Sequence, residues 1–410
     1  MAALPGFAPE TAEFYQGDAD ALFRQLRAED PLHWYETFQF WAVTKYVDVQ
    51  SISQRPRLFT SEQGTQLFEA VRRARGEPLF GAPGSVMGAM AASAPSIIRM
   101  DPPHHNRHRK LVMNAFTPRR IAALEPRIRE IAKRSLDAID PRGPVDFVEQ
   151  IAIPMPMYVI AEMLGVSSDD YGDFRRWSDA MIEAGGGDIT IETAQVVGEL
   201  VRYVLGVAER RRGDPQDDLI SVLTLAEVDG ERLSDAEIGM FCLTLLVAGN
   251  ETTRNLISGG GRLLMRHPEQ REKVLADPGL LANAIEEMLR LVSPVRNFAR
   301  VATEDVVMRG KRVRKGDMLV LFYGSANRDE EVFGADSDAF DVTRASARRH
   351  IAFGFGEHLC LGASLARLEA RVMFEELFAR WPRFAPAGAP APLASSLMNG
   401  LVRMPVVLER

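Results

Sequence analysis

The residues best suited to chemistry surround Cys360, in the segment Phe353-Gly-Phe-Gly-Glu-His-Leu-Cys360-Leu-Gly362. Glycines let the backbone approach a bulky flat group and leave N–H donors free for a sulfur atom. A helix that begins just after the cysteine would stabilise a thiolate through its positive N-terminus. A lone cysteine is otherwise most often a buried structural residue. This context instead favours a thiolate metal ligand, with Phe353 shielding it from water.

A second group of polar residues, Ala248-Gly-Asn-Glu251-Thr252-Thr253, lies inside a long apolar stretch. Burying Glu251 and Thr252 costs free energy unless both find partners. One interpretation is that the hydroxyls bond back to the preceding helical turn and bend the helix. The residues alone do not decide between this interpretation and a functional role.

One glutamate–arginine pair stands out by its position. Glu287 and Arg290 share a helix face at i,i+3 spacing, directly before Ser293 and Pro294. The same spacing occurs elsewhere, and we expect most of those matches to be solvated surface pairs. They are Glu69/Arg72, Glu199/Arg202, Glu209/Arg212 and Glu251/Arg254.

Histidines concentrate between Asp101 and Arg109. His104 and His108 have the i,i+4 spacing of a helical metal site, but the segment has no clear third ligand. Arg109 suits a different partner, because a guanidinium can bind a carboxylate through two hydrogen bonds.

The Cys360 segment resembles the haem-binding signature of the cytochrome P450 family, with Phe353, Cys360 and Gly362 at the family spacing. His358 stands where many members have arginine. Further features follow in the family's order, so the resemblance covers about residues 30–408. It implies a haem-thiolate monooxygenase with haem b (iron protoporphyrin IX) and Cys360 as the iron ligand.

The resemblance also implies roles for the polar helix and the charge pair. The 248–253 stretch is similar to the family's oxygen-activation motif, in which Thr252 holds a water and Glu251 relays protons. Many members have aspartate at the Glu251 position. Glu287 and Arg290 resemble the family's structural pair, which locks the loop beneath the haem.

Four basic residues are implied to hold the haem propionates. His105 and Arg109 match the family's H-x-x-x-R pattern at this place, and Arg300 and His350 occupy two further positions of this kind.

The substrate pocket is expected to combine the long helix with later strands, at Thr244, Val247, Ala248, Val295, Phe298 and Leu397. This set is mostly apolar, which favours a hydrophobic substrate of the terpenoid, steroid or aliphatic-chain type. Core packing remains an alternative for each residue. Two alternative functions also remain: a peroxide-driven peroxygenase and a non-catalytic haem sensor.

Electrons for the reaction must come from outside, because no flavin or nicotinamide fingerprint is present. A ferredoxin with its reductase is the implied donor. We expect it to dock beside Cys360, where Arg344, Arg348, Arg349 and Arg367 cluster in sequence within an acidic chain of net charge −7. That overall charge argues against nucleic acid as a partner.

The elements that position these residues are mostly helical. An S-x-x-E capping box at Ser234 predicts a helix that runs to about Arg266. Further helices are predicted near 278–291 and 361–381, and a hairpin near 31–45. Loops are predicted at 81–96 and at Gly185–Gly187. We expect one mainly α domain over residues 1–410, with small β-sheets and an N-terminal extension of about 20 residues.

Two cysteines and the lack of a long apolar segment predict a cytoplasmic, unanchored protein without disulfides, and we expect a monomer.

Overall fold

The computed structural model describes residues 4–77, 94–184, 190–228 and 230–409. Within these ranges helices dominate and the strands form small sheets, as the sequence predicts. Most of the predicted 81–96 loop and all of the predicted break at Gly185–Gly187 lie outside the described residues.

The α-helices of the described ranges are α1 (Ala12–Gln16), α2 (Ala19–Glu29), α3 (Tyr46–Ser53), α4 (Leu67–Arg75), α5 (His104–Met113), α6 (Pro118–Ala123), α7 (Glu125–Asp137), α8 (Pro154–Met163), α9 (Tyr171–Ala184), α10 (Ile191–Gly213), α11 (Leu219–Leu225), α12 (Asp235–Arg266), α13 (Pro268–Ala276), α14 (Leu281–Val292), α15 (Tyr323–Ala326), α16 (Glu330–Phe333) and α17 (Ala363–Arg380). A π-helical turn spans Val148–Ala152. None of the described helices is long and apolar enough to cross a membrane.

The strands are β1 (Leu32–Tyr35), β2 (Phe40–Val43), β3 (Phe59–Thr60), β4 (Val145–Asp146), β5 (Glu227–Val228), β6 (Glu231–Arg232), β7 (Asn297–Ala302), β8 (Val306–Met308), β9 (Lys311–Val313), β10 (Met318–Phe322), β11 (Arg383–Pro386), β12 (Ala391–Pro392), β13 (Leu401–Arg403) and β14 (Pro405–Glu409). The largest sheet has the order β1-β2-β10-β7-β3. β1 and β2 form the predicted hairpin, and β2 and β10 pair in parallel. A three-stranded sheet has the order β11-β14-β4.

Both faces of the largest sheet are covered. Successive residues of β2 and β10 alternate between two apolar clusters: Trp41 and Leu319 pack into one, and Phe40 and Met318 pack into the other. This period of two is the expected pattern for a strand that is buried on both sides. The sheet therefore gives β7, which carries Arg300, a rigid place beside the helical core.

Helix α12 is the axis of the helical core. Ser234 caps it, and Glu237 completes the predicted capping box. Its 32 residues span about 48 Å. Three consecutive glycines let neighbours approach closely: a Cβ at Gly260 would lie 2.6 Å from the Met288 sulfur, and one at Gly261 would lie 2.6 Å from Phe147. Helix α14 and the π-helical turn that follows Phe147 can therefore pack tightly along α12.

Candidate active site

The loop before α17 holds Cys360 in a fixed turn. Its N–H donates to the carbonyl of Phe353 (2.9 Å), and Gly354 and Gly356 both have positive φ. A Cβ at Gly356 would lie 2.3 Å from the Ser53 carbonyl oxygen, so only glycine fits there. The glycines of the motif thus serve the loop's own shape and its close packing on α3.

Cys360 is accessible on the loop directly before α17. Its side chain is exposed, although protein surrounds it closely enough that burial raises the pKa of the thiol. The Gly362 N–H and the guanidinium groups of Arg109 and Arg367 act in the opposite direction, because they stabilise the thiolate. Gly362 is the N-cap of α17, so the predicted helix N-terminus is in place. This arrangement suits a sulfur that binds a metal as the thiolate.

The ring of Phe353, at the start of the cysteine loop, contacts two basic side chains. The Arg367 guanidinium lies 4.6 Å from the centre of this ring, and the His350 ring lies 5.7 Å from it. Arg367 and His350 in turn both contact the carboxylate of Glu286, at 2.7 Å and 3.0 Å. Burial alone would raise the pKa of Glu286, but these two hydrogen bonds outweigh it and lower the pKa to about 2.

Three of the four predicted propionate ligands, Arg109, His105 and Arg300, form a second basic group near the Cys360 loop. Arg109 donates from Nη2 to the carbonyl of Leu359 (2.8 Å). His105 is buried, and its ring lies 4.4 Å from that of His358. Arg300 is 6% exposed, and its one hydrogen bond among the described residues goes to the carbonyl of Ala299. A guanidinium buried without a hydrogen-bonded carboxylate is a site that an anionic ligand would satisfy.

His358 is the member of this group that sequence reasoning did not assign. Its Nε2 lies 3.1 Å from the Ser61 hydroxyl. Burial lowers the pKa of His358 to about 3, and the nearby charge of Arg300 adds to this effect. Its signal in the sequence was its place two residues before Cys360, which put it on the same loop.

The structure does not bring His350 to the same group. Its Nε2 contacts Glu286, and its Nδ1 accepts the N–H of Ala352 (3.1 Å). The Nδ1 contact places the proton on Nε2, which then donates to Glu286; burial also lowers the pKa of His350 and favours this neutral form. Both ring nitrogens of His350 therefore have partners within the protein, Glu286 and Ala352.

His104 and His108, whose spacing alone would suit a helical metal site but for which the sequence offered no third ligand, do not share a set of metal ligands among the described residues. His108 Nε2 lies 2.8 Å from Glu237 Oε1, and His104 is exposed. Among the described residues, one cluster of three side chains has the spacing of metal ligands: Asp101, Glu357 and His358. Asp101 already accepts the Ser61 N–H (2.9 Å), which ties it to the turn after β3.

The pair Glu287 and Arg290 is fully buried and bidentate. Arg290 Nε and Nη2 each lie 2.7 Å from a Glu287 oxygen, and neither side chain is exposed. Arg290 also donates to the carbonyl of Asn327 (2.9 Å), and Arg344 donates to Glu287 (3.0 Å). The pair therefore ties α14 to the segment that leads into the Cys360 loop, as a structural residue pair would.

The other glutamate–arginine matches differ in their surroundings. Glu209 and Arg212 form an exposed pair, as expected. Glu69 is instead buried, where it accepts the N–H of Thr65 and pairs with Arg99. Glu251 and Arg254 are also inside the protein, with side chains only 9% and 12% exposed. The surface expectation is wrong for these two, because burial depends on packing that the spacing does not encode.

Thr252 and Glu251 lie at the middle of α12. The Thr252 hydroxyl donates to the carbonyl of Ala248 (2.5 Å), which is the back-bonding that the sequence left open. The oxygen of Thr252 keeps its lone pairs, so it can still accept a hydrogen bond. Burial raises the pKa of Glu251, and the Arg254 guanidinium partly opposes this. Ala248 is exposed although it lies mid-helix, so this face of α12 borders accessible space.

A contact next to Thr252 joins α12 to α17. The carboxyl group of Glu369 is 1% exposed. Burial raises the pKa of Glu369 to about 8, and the nearby Thr253 hydroxyl partly opposes this. Oε1 of Glu369 has no hydrogen-bond partner among the described residues. Thr253 adjoins Thr252, and Glu369 lies on the helix that follows Cys360, so this contact is part of the packing of α12 on α17. Sequence reasoning missed Glu369, since a single glutamate in an amphipathic helix is expected to face solvent.

The predicted pocket residues fall into two groups. Thr244 and Ala248 lie on the Thr252 side of α12, but Val247 is about 140° around the helix from Thr252 and packs on the main core. Val295, Phe298 and Leu397 lie on adjacent segments, because the Arg296 N–H donates to the Leu397 carbonyl (2.8 Å) and Val295 bridges Met398. Gly400 brings this second group against α12, since a Cβ there would collide with Asn255.

The predicted docking patch is smaller than the sequence suggested. Arg344 is buried, and it pairs with Glu287 and Asp336. Arg367 is partly exposed but is paired with Glu286. Arg348 and Arg349 are exposed on the turn before the cysteine loop.

Comparison with known proteins identifies the family. Residues 192–404 match the family model described as Cytochrome P450. The chain is 40% identical over 397 residues to the Steroid C26-monooxygenase of Mycobacterium tuberculosis, covering 95% of this chain and 94% of the relative. It is 37% identical over 404 residues to the Methyl-branched lipid omega-hydroxylase of the same species, covering 94% and 90%. The crystal structure of CYP109E1 from Bacillus megaterium in complex with testosterone superimposes with a TM-score of 0.83 at 34% identity, covering 96% of this chain and 100% of that one.

The fold and these relatives thus define an oxidoreductase of the monooxygenase class. The chain belongs to the cytochrome P450 family, and it is a monooxygenase with that family's mainly α fold. The family implies a haem cofactor, and the residues present fit one. Cys360 offers an accessible sulfur, and Arg300, buried without a hydrogen-bonded carboxylate among the described residues, offers a counter-ion for a propionate.

Proposed function

We propose that this enzyme hydroxylates an unactivated C–H bond of a hydrophobic small molecule of the steroid, terpenoid or aliphatic-chain type. Two relatives are named for oxidation at the end of a steroid or of a branched lipid, and a third protein of the same fold binds testosterone. The exposed Ala248 beside Thr252, together with the apolar Val295, Phe298 and Leu397, supports an apolar substrate.

Haem b is the proposed cofactor, with Cys360 as its iron ligand and Arg109, Arg300 and His105 toward its propionates. When bound, the haem supplies the redox chemistry that uses dioxygen, and a cysteinate ligand favours O–O cleavage. Phe353 and Gly362 shape the cysteine loop. The pair Glu287 and Arg290 holds the segment that leads into this loop against α14. His350 acts through Glu286 rather than at the propionates.

Thr252 and Glu251 are proposed to deliver protons. The Thr252 oxygen accepts a hydrogen bond from a water molecule, because its own proton is directed to Ala248. Glu251 passes protons toward this water, and its raised pKa suits a group that both holds and releases a proton. This polar pair is the observation that carries the proposal: dioxygen activation takes up two protons from solvent, whereas hydrogen peroxide already carries its own and a sensor consumes none.

The electron donor is proposed to be a ferredoxin with its reductase, docking near Arg348 and Arg349. The test compares NADH with a ferredoxin system against hydrogen peroxide alone, using a steroid, a terpenoid and a methyl-branched fatty acid as substrates. We expect a substrate-induced shift of the Soret band and product that depends on NADH. Product from peroxide at the same rate would favour a peroxygenase, and a Soret shift without product in either system would favour a sensor.

A further inference from the structure

Glu251 has a buried counter-ion on its own helix. Arg254 Nη2 lies 3.3 Å from Glu251 Oε1, and both side chains are almost fully enclosed. Arg254 Nε is also buried, and it has no hydrogen-bond partner among the described residues. A single 3.3 Å contact leaves this guanidinium only partly satisfied, so a second carboxylate can compete for it.

Asp179 on α9 is such a competitor. Burial raises its pKa, while the charges of Arg175 and Arg254 lower it, so Asp179 lies within electrostatic reach of Arg254. Its side chain is 68% exposed, in contrast to that of Glu251. The Arg254 charge therefore acts on a solvated carboxylate as well as on the buried Glu251 that it contacts.

The neighbouring residues fix these two carboxylates relative to each other. Asn250 Nδ2 donates to the Ser178 hydroxyl (2.6 Å) in a buried contact between α12 and α9. Ser178 directly precedes Asp179, and Asn250 directly precedes Glu251. A change in the position of α9 along α12 would therefore move Asp179 relative to Arg254.

The remaining charged groups on this side continue to the surface. Arg175 Nε lies 3.9 Å from Asp179, and Arg175 also pairs with Glu149 of the π-helical turn. Arg175 and Glu149 are each about half exposed. Charges thus alternate in sign from Glu251 to the surface.

We propose that Arg254 is a positioning residue that sets the proton affinity of Glu251, and that Asp179 competes with Glu251 for it. This inference rests on the proposed role of Glu251 as the relay. With Arg254 against it, Glu251 favours the carboxylate and releases its proton toward the water at Thr252. With Arg254 turned to Asp179, Glu251 loses its counter-ion and takes up a proton from solvent. Glu251 thus takes up one proton and releases one proton each time Arg254 moves to Asp179 and back.

The test measures the titration of Glu251 directly, in the substrate-free ferric protein. The infrared carbonyl band of the protonated carboxylic acid is assigned to Glu251 by its loss in Glu251→Gln. We expect Arg254→Leu to raise the pKa of Glu251 by about 1 to 3 units. Arg254→Lys, which keeps the charge, should give a smaller shift. Asp179→Asn should lower the pKa, because it removes both the competitor and a negative charge.

Activity gives the second measurement. The ratio of product to NADH should shift along the pH axis in the same direction as the infrared titration, whereas a purely structural role would reduce haem content or stability without moving the profile. An unchanged Glu251 titration in both Arg254→Leu and Asp179→Asn would overturn the inference. Asp179 is exposed, so Asp179→Asn decides the matter if Arg254→Leu does not fold. If Glu251→Gln leaves turnover unchanged, the relay itself fails, independently of the titration result.

Discussion

Arg109 donates a 2.8 Å hydrogen bond to the carbonyl of Leu359, the residue directly before Cys360. Helix α5 is thereby fastened to the cysteine loop, and the same guanidinium stabilises the thiolate electrostatically. A residue assigned only to propionate binding thus also holds the position of the sulfur. The consequences of losing Cys360 and of losing Arg109 can therefore be separated by different measurements.

Replacing the sulfur should change the spectrum of the bound haem. The reduced, carbon monoxide-bound wild-type protein should show the red-shifted Soret band of a thiolate ligand, and Cys360→His should lose it. Cys242→Ser is the matched control, because Cys242 is the other cysteine and is buried in the core. Identical spectra for wild type and Cys360→His would show that Cys360 is not the ligand.

Loss of either guanidinium should weaken haem retention. Arg300→Ala removes the buried cation, and Arg109→Ala removes both a cation and the bond to Leu359, so we expect haem occupancy to fall in each after mild heating. Arg109→Lys should retain more haem than Arg109→Ala. Arg348→Ala, at an exposed site, serves as the control, and occupancy equal to it in all variants would contradict the assignment.

The sequence predicted the local parts of this site and failed where burial depends on distant contacts. The cysteine loop, the capped helix α12 and the Glu287–Arg290 pair are short-range patterns, and the structure contains all three. Arg344 and Arg348 look alike in sequence, but Arg344 is buried because it reaches Glu287 on α14. His350 was likewise predicted to be a propionate ligand, but Glu286 and Ala352 occupy both of its ring nitrogens, whereas His358 lies beside His105.

Glu369 should make stability depend on pH. In the folded protein its pKa is about 8, compared with 4.5 for an unperturbed glutamate. Between these values the folded state holds the proton and the unfolded state does not, so the free energy of unfolding falls as pH rises from about 4.5 to about 8. Glu369→Gln removes this loss, and the variant should gain on the order of 4 kcal/mol relative to wild type between about pH 5 and pH 9.

Denaturant unfolding at several pH values measures this difference. Glu269→Gln, which replaces an exposed glutamate on α13, provides the control. If the stability of Glu369→Gln runs parallel to that of wild type over the whole range, Glu369 is ionised in the folded protein and its buried-acid assignment is wrong.

The exposed pair Arg348 and Arg349 should govern association with an acidic electron donor. Reversing both to glutamate should lower the association rate with a ferredoxin by about tenfold at low salt, and the difference should shrink as salt screens the charges. Arg312→Glu, an exposed arginine on β9 away from the cysteine loop, is the comparison. A rate that is independent of salt and equal in all three proteins would remove these arginines from the docking surface.

Thr252 gives the sharpest test of proton delivery, because removing its hydroxyl barely changes the volume of the side chain. The hydroxyl also bonds to Ala248, so its loss removes one helical back-bond, whose net contribution to stability is about 1 kcal/mol. Thr252→Ala should therefore fold and bind substrate nearly as wild type does. Its defect should lie in chemistry: without an acceptor for the water, protons arrive at the wrong place and reducing equivalents are lost as hydrogen peroxide.

We expect Thr252→Ala to consume NADH at a substantial rate while product falls and hydrogen peroxide rises. Thr253→Ala is the matched control, because it removes the neighbouring hydroxyl, which faces Glu369 instead. Glu251→Gln should differ from both by slowing NADH consumption itself, since the supply of protons fails. NADH, product and peroxide are measured in one reaction. If the product-to-NADH ratio of Thr252→Ala equals that of wild type, Thr252 has only a structural role through its bond with Ala248. Protons would then reach the site without Thr252.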